Sequence, residues 1–311
     1  MTNSDLNDLV RLLACPDCGG DPLFSDGELR CSGCSRSYEV KDGIPLLYPK
    51  GMNREHLAEE EKLGGIMQQT EIEPGTEFSE EQWKRSKDEF WGQVRERLGG
   101  SGLKIILNVG CGIDTRALEL QEMGHTLVSF DLVYSLLESL KTGHGAKHCT
   151  AGDLLHLPFK SGSFDCLCCI DLIHHEIEHT PEILATFERV LKPGGLLFLE
   201  DINAWGLFQF YKSILLPRPV HRTLRSLYHV LKGSPYRPAD YEFPTSVFKT
   251  MRLLERVGFA EIDAVPQRAY PNIGGIGYRI YEVLSRVQHI KRYHNYHYMI
   301  VAVAPKTAMQ R

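Results

Sequence analysis

The chain has 311 residues, 42% of them hydrophobic and 24% charged, and a net charge of −5. This composition belongs to a soluble globular protein with room for one large domain and a small one. No apolar run reaches the roughly 18–20 residues that cross a bilayer, and the start, Met1-Thr2-Asn3-Ser4-Asp5, has neither the basic nor the apolar part of a signal peptide, so the expected compartment is the cytoplasm.

Residues 1–50 hold paired cysteines, turn residues and short strand-like pieces. Cys15-Pro16-Asp17-Cys18 and Cys31-Ser32-Gly33-Cys34 are two Cys-x2-Cys knuckles, twelve residues apart. Four thiolates satisfy a tetrahedral zinc ion, and each tight turn points two sulfurs at one metal. A redox pair or disulfides fit such an array less well in the cytosol, and four cysteines leave no open position for a catalytic zinc. With Leu12-Leu13-Ala14 before the first knuckle and Asp42-Gly43-Ile44-Pro45-Leu46-Leu47 after the second, residues 9–48 resemble the zinc ribbons found beside, or fused to, class I methyltransferases. The resemblance implies a stabilising or substrate-presenting module, read here as a domain over 1–50.

Residues 51–102 are polar and charged and read as a helical linker or lid. Ser79 is placed to cap a helix through Trp83 and Phe90 to Leu98, which Gly99-Gly100 would end.

From Lys104 the chain alternates apolar strands with amphipathic helices, the pattern of a parallel α/β sheet. Strands are expected at Lys104–Val109, Thr126–Asp131, His148–Gly152, Phe164–Asp171, Leu196–Asp201, Ala260–Val265 and Tyr296–Val303. Helices are expected at Thr115–Met123, Ser135–Lys141, Pro181–Leu191 and Ser246–Val257. The segment 204–243 reads as an insertion within a 103–311 domain, and Arg268–Asn295 is irregular.

The first of these strands runs directly into Gly110-Cys111-Gly112, a turn that lets backbone approach a ligand at a helix amino end. Thr115 stands where a dinucleotide fingerprint wants its third glycine. Ser129-Phe130-Asp131 ends the second strand with a carboxylate suited to ribose hydroxyls. Gly152-Asp153-Leu154 follows the third strand, where Asp153 can accept from an adenine amino group while Leu154 packs on the ring. Lys192-Pro193-Gly194-Gly195 leads into the fifth.

In this order the motifs over 103–204 resemble the class I S-adenosylmethionine-dependent methyltransferases, in particular the small-molecule and ubiquinone-biosynthesis-like group. The resemblance implies a Rossmann-like seven-stranded sheet, mostly parallel with an antiparallel last strand. It implies S-adenosylmethionine as cofactor, with contacts from Gly110, Cys111, Gly112, Asp131, Leu132, Asp153, Leu154 and Asp171. Asp114 stands where many relatives have a third glycine, which bears on the loop's geometry.

The methyl donor is already activated, so the enzyme has to align a nucleophile and, where needed, remove its proton. Asp171-Leu172-Ile173-His174-His175 lies at the carboxyl end of the fourth strand, and His174 or His175 is the candidate base; a histidine pair that only supports the loop is the alternative. Glu200, Asp201 and Asn203 end the fifth strand and are candidates to face substrate or to cap loops. Cys166, Cys168 and Cys169 read as buried packing.

Charge is uneven: residues 1–204 carry 19 Lys/Arg against 34 Asp/Glu, and residues 205–311 carry 16 against 6. Aromatic and aliphatic residues interleave with arginines over 205–232, which suits a lid over an apolar or amphipathic substrate or docking at a membrane surface. A second basic-aromatic cluster comprises His289, Arg292, Tyr293, His294, Tyr296, His297 and Tyr298. The first functional expectation is therefore methyl transfer to a small-molecule or lipid-like acceptor, at a hydroxyl or other heteroatom. The second is methylation of an rRNA or tRNA base, supported by the ribbon and the basic final third; against it, the ribbon lies in the acidic part and no Asn-Pro-Pro-Tyr motif is present. A non-catalytic cofactor-binding scaffold is the third.

Overall fold

The computed structural model describes residues 3–70, 80–100, 102–206, 244–267, 286–295 and 297–306, with isolated positions at 220–231 and 283–284. Most of the 204–243 insertion, Ser79, Tyr296 and much of the irregular stretch after Arg268 lie outside the described residues.

After helix α1 (Asn3–Val10), four short strands follow: β1 (Pro22–Ser25), β2 (Glu28–Cys31), β3 (Ser37–Lys41) and β4 (Ile44–Leu47). The β1–β2 and β3–β4 pairs close through two-residue turns, Asp26-Gly27 and Asp42-Gly43, all four residues at positive φ. That is the geometry in which the turn's twist matches that of the strands, and Asp-Gly supplies it at least cost.

Two long helices come next, α2 (Arg54–Thr70) and α3 (Glu80–Leu98). The alternating region then forms β5 (Ile105–Val109), α4 (Leu118–Glu122), β6 (Thr126–Asp131), α5 (Tyr134–His144), β7 (His148–Gly152), β8 (Phe164–Ile170), α6 (Thr180–Val190) and β9 (Leu191–Ile202). The last elements are α7 (Val247–Val257), β10 (Ala260–Val265), α8 (Gln288–Tyr293) and β11 (His297–Val303). The elements match the expected ones closely. The exceptions are β9, which begins at Leu191 rather than Leu196, and the helix expected from Thr115, which opens as a short 3-10 turn capped by Asp114.

The sheet has eleven strands, in the order β1-β2-β3-β4-β7-β6-β5-β8-β9-β11-β10. Strands β7 through β9 are parallel, and β11 inserts antiparallel between β9 and β10. The seven expected strands thus form the expected mostly parallel sheet. The larger count arises because the ribbon joins it: β4 lies parallel on β7, with Leu46 opposite Ala151 and Leu47 opposite Gly152. A parallel sheet would otherwise expose the edge of β7 to water, and β4 covers it.

Alternation along the strands sends neighbouring residues to opposite faces. Leu107 and Val109 pack with Phe159, Phe164 and Phe187 on one face, together with Leu13 and Leu29 of the ribbon. Ile106, Cys166 and Cys168 pack on the other against Phe90, Trp91 and Val94 of α3. The segment expected as a linker or lid therefore supplies a helical layer of the core. The three cysteines of β8 are fully buried, as packing requires.

Gly152 shows how close the ribbon sits: an added Cβ would lie 3.0 Å from the Phe130 ring and 3.1 Å from the Leu47 carbonyl oxygen. Gly152→Ala should therefore destabilise the fold by about 1–3 kcal/mol through overpacking. Urea unfolding measures it, and an unchanged midpoint would show that β4 does not seat on β7.

Candidate functional site

The four ribbon cysteines converge: their sulfurs all lie within 4.8 Å of one another. Cys15 and Cys34 sulfurs are 3.8 Å apart, and those of Cys18 and Cys31 are 3.5 Å apart. A tetrahedron with zinc–sulfur bonds of roughly 2.3 Å has edges of roughly 3.8 Å, so the donor set fits a structural zinc ion. Around it, the Tyr38 hydroxyl lies 2.9 Å from Cys15 Sγ and donates to Asp17 at 3.0 Å. Asp17 also pairs with Arg36 and accepts from the Lys50 N–H, tying the first knuckle to the ribbon's exit.

The cofactor loop is built from the ends of β5, β6 and β8. Gly110 has φ +64°, and an added Cβ would lie 2.7 Å from the Leu172 side chain. Gly112, at φ +49°, donates its N–H to Asp131 Oδ2 at 2.8 Å. Asp131 Oδ1 accepts from the Val133 N–H at 3.0 Å, so one carboxylate staples the loop to the end of β6. Burial pushes the Asp131 carboxyl up, opposed by these backbone donors. Asp153 caps the next turn, accepting from the Leu155 N–H at 3.0 Å, and pairs with His156 at 2.7 Å.

A cavity of about 240 Å³ opens beside the loop, bounded by Gly110, Gly112 and Asp171 below and by Lys84, Lys87 and Trp91 above. The upper residues recur at i, i+3 and i+7 on α3, which places them on one face. Trp91 donates its indole N–H to Asp114 Oδ2 at 2.8 Å, and Arg116 reaches Asp88 at 2.5 Å and Asp114 at 3.1 Å. Asp114 therefore replaces a loop glycine with a carboxylate that caps the following turn and binds the roof. On the other side, Glu61 of α2 accepts from the N–H groups of Tyr134 and Ser135, at 2.6 and 3.3 Å, at the start of α5.

Beneath the roof lies a buried polar cluster. Lys87 Nζ contacts Asp171 Oδ2 at 2.9 Å, with both side chains at least nine-tenths buried. His297 Nε2 lies 3.3 Å from Asp171 Oδ1, a distance without hydrogen-bond geometry. Glu200 accepts from Ser86 at 3.1 Å and from Gln267 at 2.6 Å. Beside them, His174 Nδ1 lies 2.6 Å from Asp201 Oδ1. Asp171 has φ +49°, a strained conformation for a residue with a side chain. Burial works against its charge, but Lys87 and His297 outweigh burial and hold its carboxyl well below the usual range. Glu200, fully buried, is pushed up to about 7, and Asp171's charge adds to that push.

Of the expected cofactor contacts, Gly110, Cys111, Gly112 and Asp171 line the cavity, while Asp131, Leu132, Asp153 and Leu154 sit at neighbouring strand ends outside its lining. Leu132 receives a hydrogen bond at its carbonyl from Tyr48 of the ribbon, at 2.9 Å. His174 is buried and stacks on His175, ring centres 4.2 Å apart; neither lines the cavity. Asn203 donates to the carbonyls of Tyr293 and Asn295, fastening loops. Sequence reasoning missed Lys87, Ser86 and Trp91. Their polar groups face inward from a helix that reads as solvated, and only the i, i+3, i+7 spacing of Lys84, Lys87 and Trp91 hinted at a shared face. Tyr298 and His297 of the basic-aromatic cluster are buried in β11.

Residues 107–199 match the family described as "Methyltransferase domain", and residues 7–43 match "Trm112p-like protein". Among curated relatives, the chain is 28% identical over 180 residues to a malonyl-[acyl-carrier protein] O-methyltransferase of Serratia marcescens, covering 53% of this chain and 69% of that one. It is 30% identical over 141 residues to a ubiquinone biosynthesis O-methyltransferase of Xanthomonas oryzae pv. oryzae, covering 41% of this chain and only 58% of the relative. In fold it is similar to magnesium protoporphyrin IX methyltransferase from Synechocystis PCC 6803, solved with bound SAH, with a TM-score of 0.50, 14% identity, and coverage of 81% and 99%.

The buried carboxyls predict a pH signature. Glu200's folded pKa of about 7 exceeds its ordinary 4.5, so its contribution to stability is full below about 4.5 and is lost as pH rises to about 7. Asp171, depressed, contributes stability above its ordinary value near 3.8, lost as pH falls below it. Glu200→Gln should therefore flatten the fall in stability between pH 4.5 and 7, as read by urea unfolding across pH. The same slope in both proteins would show that Glu200 does not titrate there.

Proposed function

We propose that this chain, a class I S-adenosylmethionine-dependent methyltransferase with its own Trm112p-like zinc ribbon, methylates a small-molecule or lipid-like acceptor at a hydroxyl or other nucleophilic heteroatom. The observation that carries this reading is the buried His174–Asp201 pair at 2.6 Å, set at the ends of β8 and β9 beside Asp171. Two of the relatives are O-methyltransferases by name, which supports oxygen as the acceptor atom.

The cofactor supplies, when bound, a methyl group already activated on a sulfonium. The protein's part is to hold both partners in line, exclude water and take a proton from the acceptor. Gly110, Cys111 and Gly112 flank the methionine part, Asp131 with Leu132 serves the ribose, and Asp153 with Leu154 serves the adenine. In this proposal Asp131 exchanges the Gly112 and Val133 donors for ribose hydroxyls only in part, since a carboxylate has several lone pairs.

Asp201 accepts at Nδ1, which leaves Nε2 of His174 with the lone pair and makes it the base. Asp201 is itself fixed, accepting from the Ile202 N–H at 2.8 Å and from Thr245 at 3.2 Å. His175, half-buried against the His174 ring, supports its orientation. His174→Gln should lower kcat by about 10²–10⁴-fold while S-adenosylhomocysteine affinity is retained. Wild-type turnover would remove His174 from the chemistry.

The second reading, methylation of an rRNA or tRNA base, draws on the excess of 16 Lys/Arg over 6 Asp/Glu in residues 205–311 together with the ribbon. Transfer of labelled methyl from S-adenosylmethionine into cell extract, fractionated into RNA, protein, lipid and small molecules, separates the two. Label in the organic-extractable or small-molecule fraction is expected; label confined to RNA would overturn the first reading in favour of the second.

A further inference from the structure

Tyr298 of the last strand carries a buried hydroxyl that reaches the His174–Asp201 pair only through another side chain. It is 1% exposed in β11 and lies directly opposite Asp201 in the antiparallel pair with β9. Burial pushes its hydroxyl up, and the Asp201 charge adds to the push, so it keeps its proton and acts as a neutral group. That hydroxyl is 2.7 Å from Thr245 Oγ1 and 3.1 Å from Thr250 Oγ1. Both threonines are buried, one just before α7 and one within it.

Three hydroxyls in a row hold three protons, and the acceptors at one end decide which way they run. Thr245 donates to Asp201 Oδ2 at 3.2 Å, and the Ile202 carbonyl competes for the same proton at 3.3 Å. The Thr245 backbone is fixed on both sides, its N–H on the Ile202 carbonyl at 2.9 Å and its carbonyl on the Ala204 N–H at 2.7 Å, so what remains to be set is the direction of the hydroxyl. Asp201 is fully buried. Its Oδ1 already accepts from His174 and from the Ile202 N–H, whereas Oδ2 has Thr245 as its donor among the described residues. A buried carboxylate oxygen left without a donor is costly, so the Thr245 proton belongs on Asp201. The Thr245 oxygen then accepts from Tyr298, and the Tyr298 oxygen in turn accepts from Thr250. All three protons point towards the carboxylate, and each donor polarises the next, which strengthens the bond at the end of the chain. The reverse order would leave Oδ2 bare.

We propose that Tyr298 is a positioning residue: backed by Thr250, it fixes the Thr245 hydroxyl on Asp201, and Asp201 then holds the His174 proton at Nδ1. The proposal deepens the reading of His174 as the base and rests on it. A proton fixed at Nδ1 keeps the lone pair at Nε2, the atom that takes the acceptor's proton. Without the Tyr298 donor, the Thr245 hydroxyl turns to the Ile202 carbonyl, Asp201 Oδ2 loses its donor, and the carboxylate is no longer held against the imidazole. No proton passes along the hydroxyls; they stay neutral and set an orientation.

The tautomer is read directly from the ring-nitrogen NMR shifts of isotope-labelled histidine in the full, zinc-loaded chain, with the His174 signals identified by their loss in His174→Gln. With its ring neutral, wild-type His174 should carry the proton on Nδ1 in roughly tenfold excess, the preference set by a hydrogen bond to a carboxylate. Tyr298→Phe should cut that ratio by about threefold or more, the loss of one neutral hydrogen bond. Thr250→Val removes only the outermost donor; it should shift the ratio in the same direction by less, and it carries the test should Tyr298→Phe not fold. Thr245→Ser, which keeps the hydroxyl, should hold the wild-type ratio. An unchanged ratio in Tyr298→Phe, or in Thr250→Val where the first does not fold, would overturn the assignment. An equal shift of the buried His125 and His148, which lie elsewhere in the sheet, would overturn it too, since it would mark a repacked core rather than a turned hydroxyl. A wild-type His174 protonated at Nε2 would instead overturn the base reading on which the proposal stands.

Discussion

The ion pair between Lys87 and Asp171 joins the two halves of this site. Lys87 belongs to a helix upstream of the methyltransferase sheet, and Asp171 to the carboxyl end of its central strands. Both side chains are at least nine-tenths buried. Stripping two charges of water costs several kcal/mol each, which the pair's own attraction offsets only when the geometry is close and further partners are present. Here the contact is 2.9 Å and His297 and Glu200 surround it. Such a pair is a poor source of net stability but a strong determinant of register, because sliding α3 by one residue would leave an uncompensated charge in the interior. Phe90, Trp91 and Val94 supply the burial energy that seats the helix; Lys87 decides where it stops. The roof of the cavity is positioned as a consequence.

The zinc ribbon acts at the opposite flank by the same logic of completing an edge. The β4–β7 pairing is short, two residue pairs, but side-chain contacts reinforce it. The Thr150 hydroxyl donates to the Pro45 carbonyl at 3.0 Å, and the Tyr134 hydroxyl donates to Asp42 at 2.7 Å. On the far side, the Ala14 N–H donates to the Pro158 carbonyl at 2.9 Å. The ribbon therefore touches the chain just after Asp131 and just after Asp153, the two positions proposed for ribose and adenine. Metal binding folds such a small module, so a zinc ion held by the four cysteines would act, through these contacts, on two loops it does not touch.

Most of the sheet was legible because its residues obey a local rule: short apolar strands ended by Gly110, Asp131, Gly152 and Asp171, each followed by a helix signal. The knuckles were legible because zinc demands a spacing. What stayed hidden is non-local. Nothing in residues 44–47 says that they pair with β7 rather than with another ribbon strand, since two residues of parallel register carry no periodic signal. Ser86 and Lys87 look like ordinary polar positions of an exposed helix, because a buried ion pair is recognisable only once its partner, 84 residues away, is placed. Asp114 looked like a departure from a glycine; its partner Trp91 explains it, and again the explanation comes from another element.

Asp171, Glu200 and Asp201 lie close together, and three adjacent buried carboxylates cannot all carry charge without a cost that the fold would have to meet elsewhere. The surroundings divide the roles. Asp171 has Lys87 and His297 and stays ionised. Glu200, bonded to the neutral donors Ser86 and Gln267, is the one pushed towards its protonated form. Asp201 is given to His174, at 2.6 Å, an imidazole, the side-chain type whose ordinary titration lies nearest neutral pH. An ionised carboxylate facing the cavity favours a cation there, whereas a histidine–carboxylate pair favours taking up a proton. In the proposed mechanism these two functions fall on separate residues, Asp171 toward the positively charged cofactor and the His174–Asp201 pair toward the acceptor's proton.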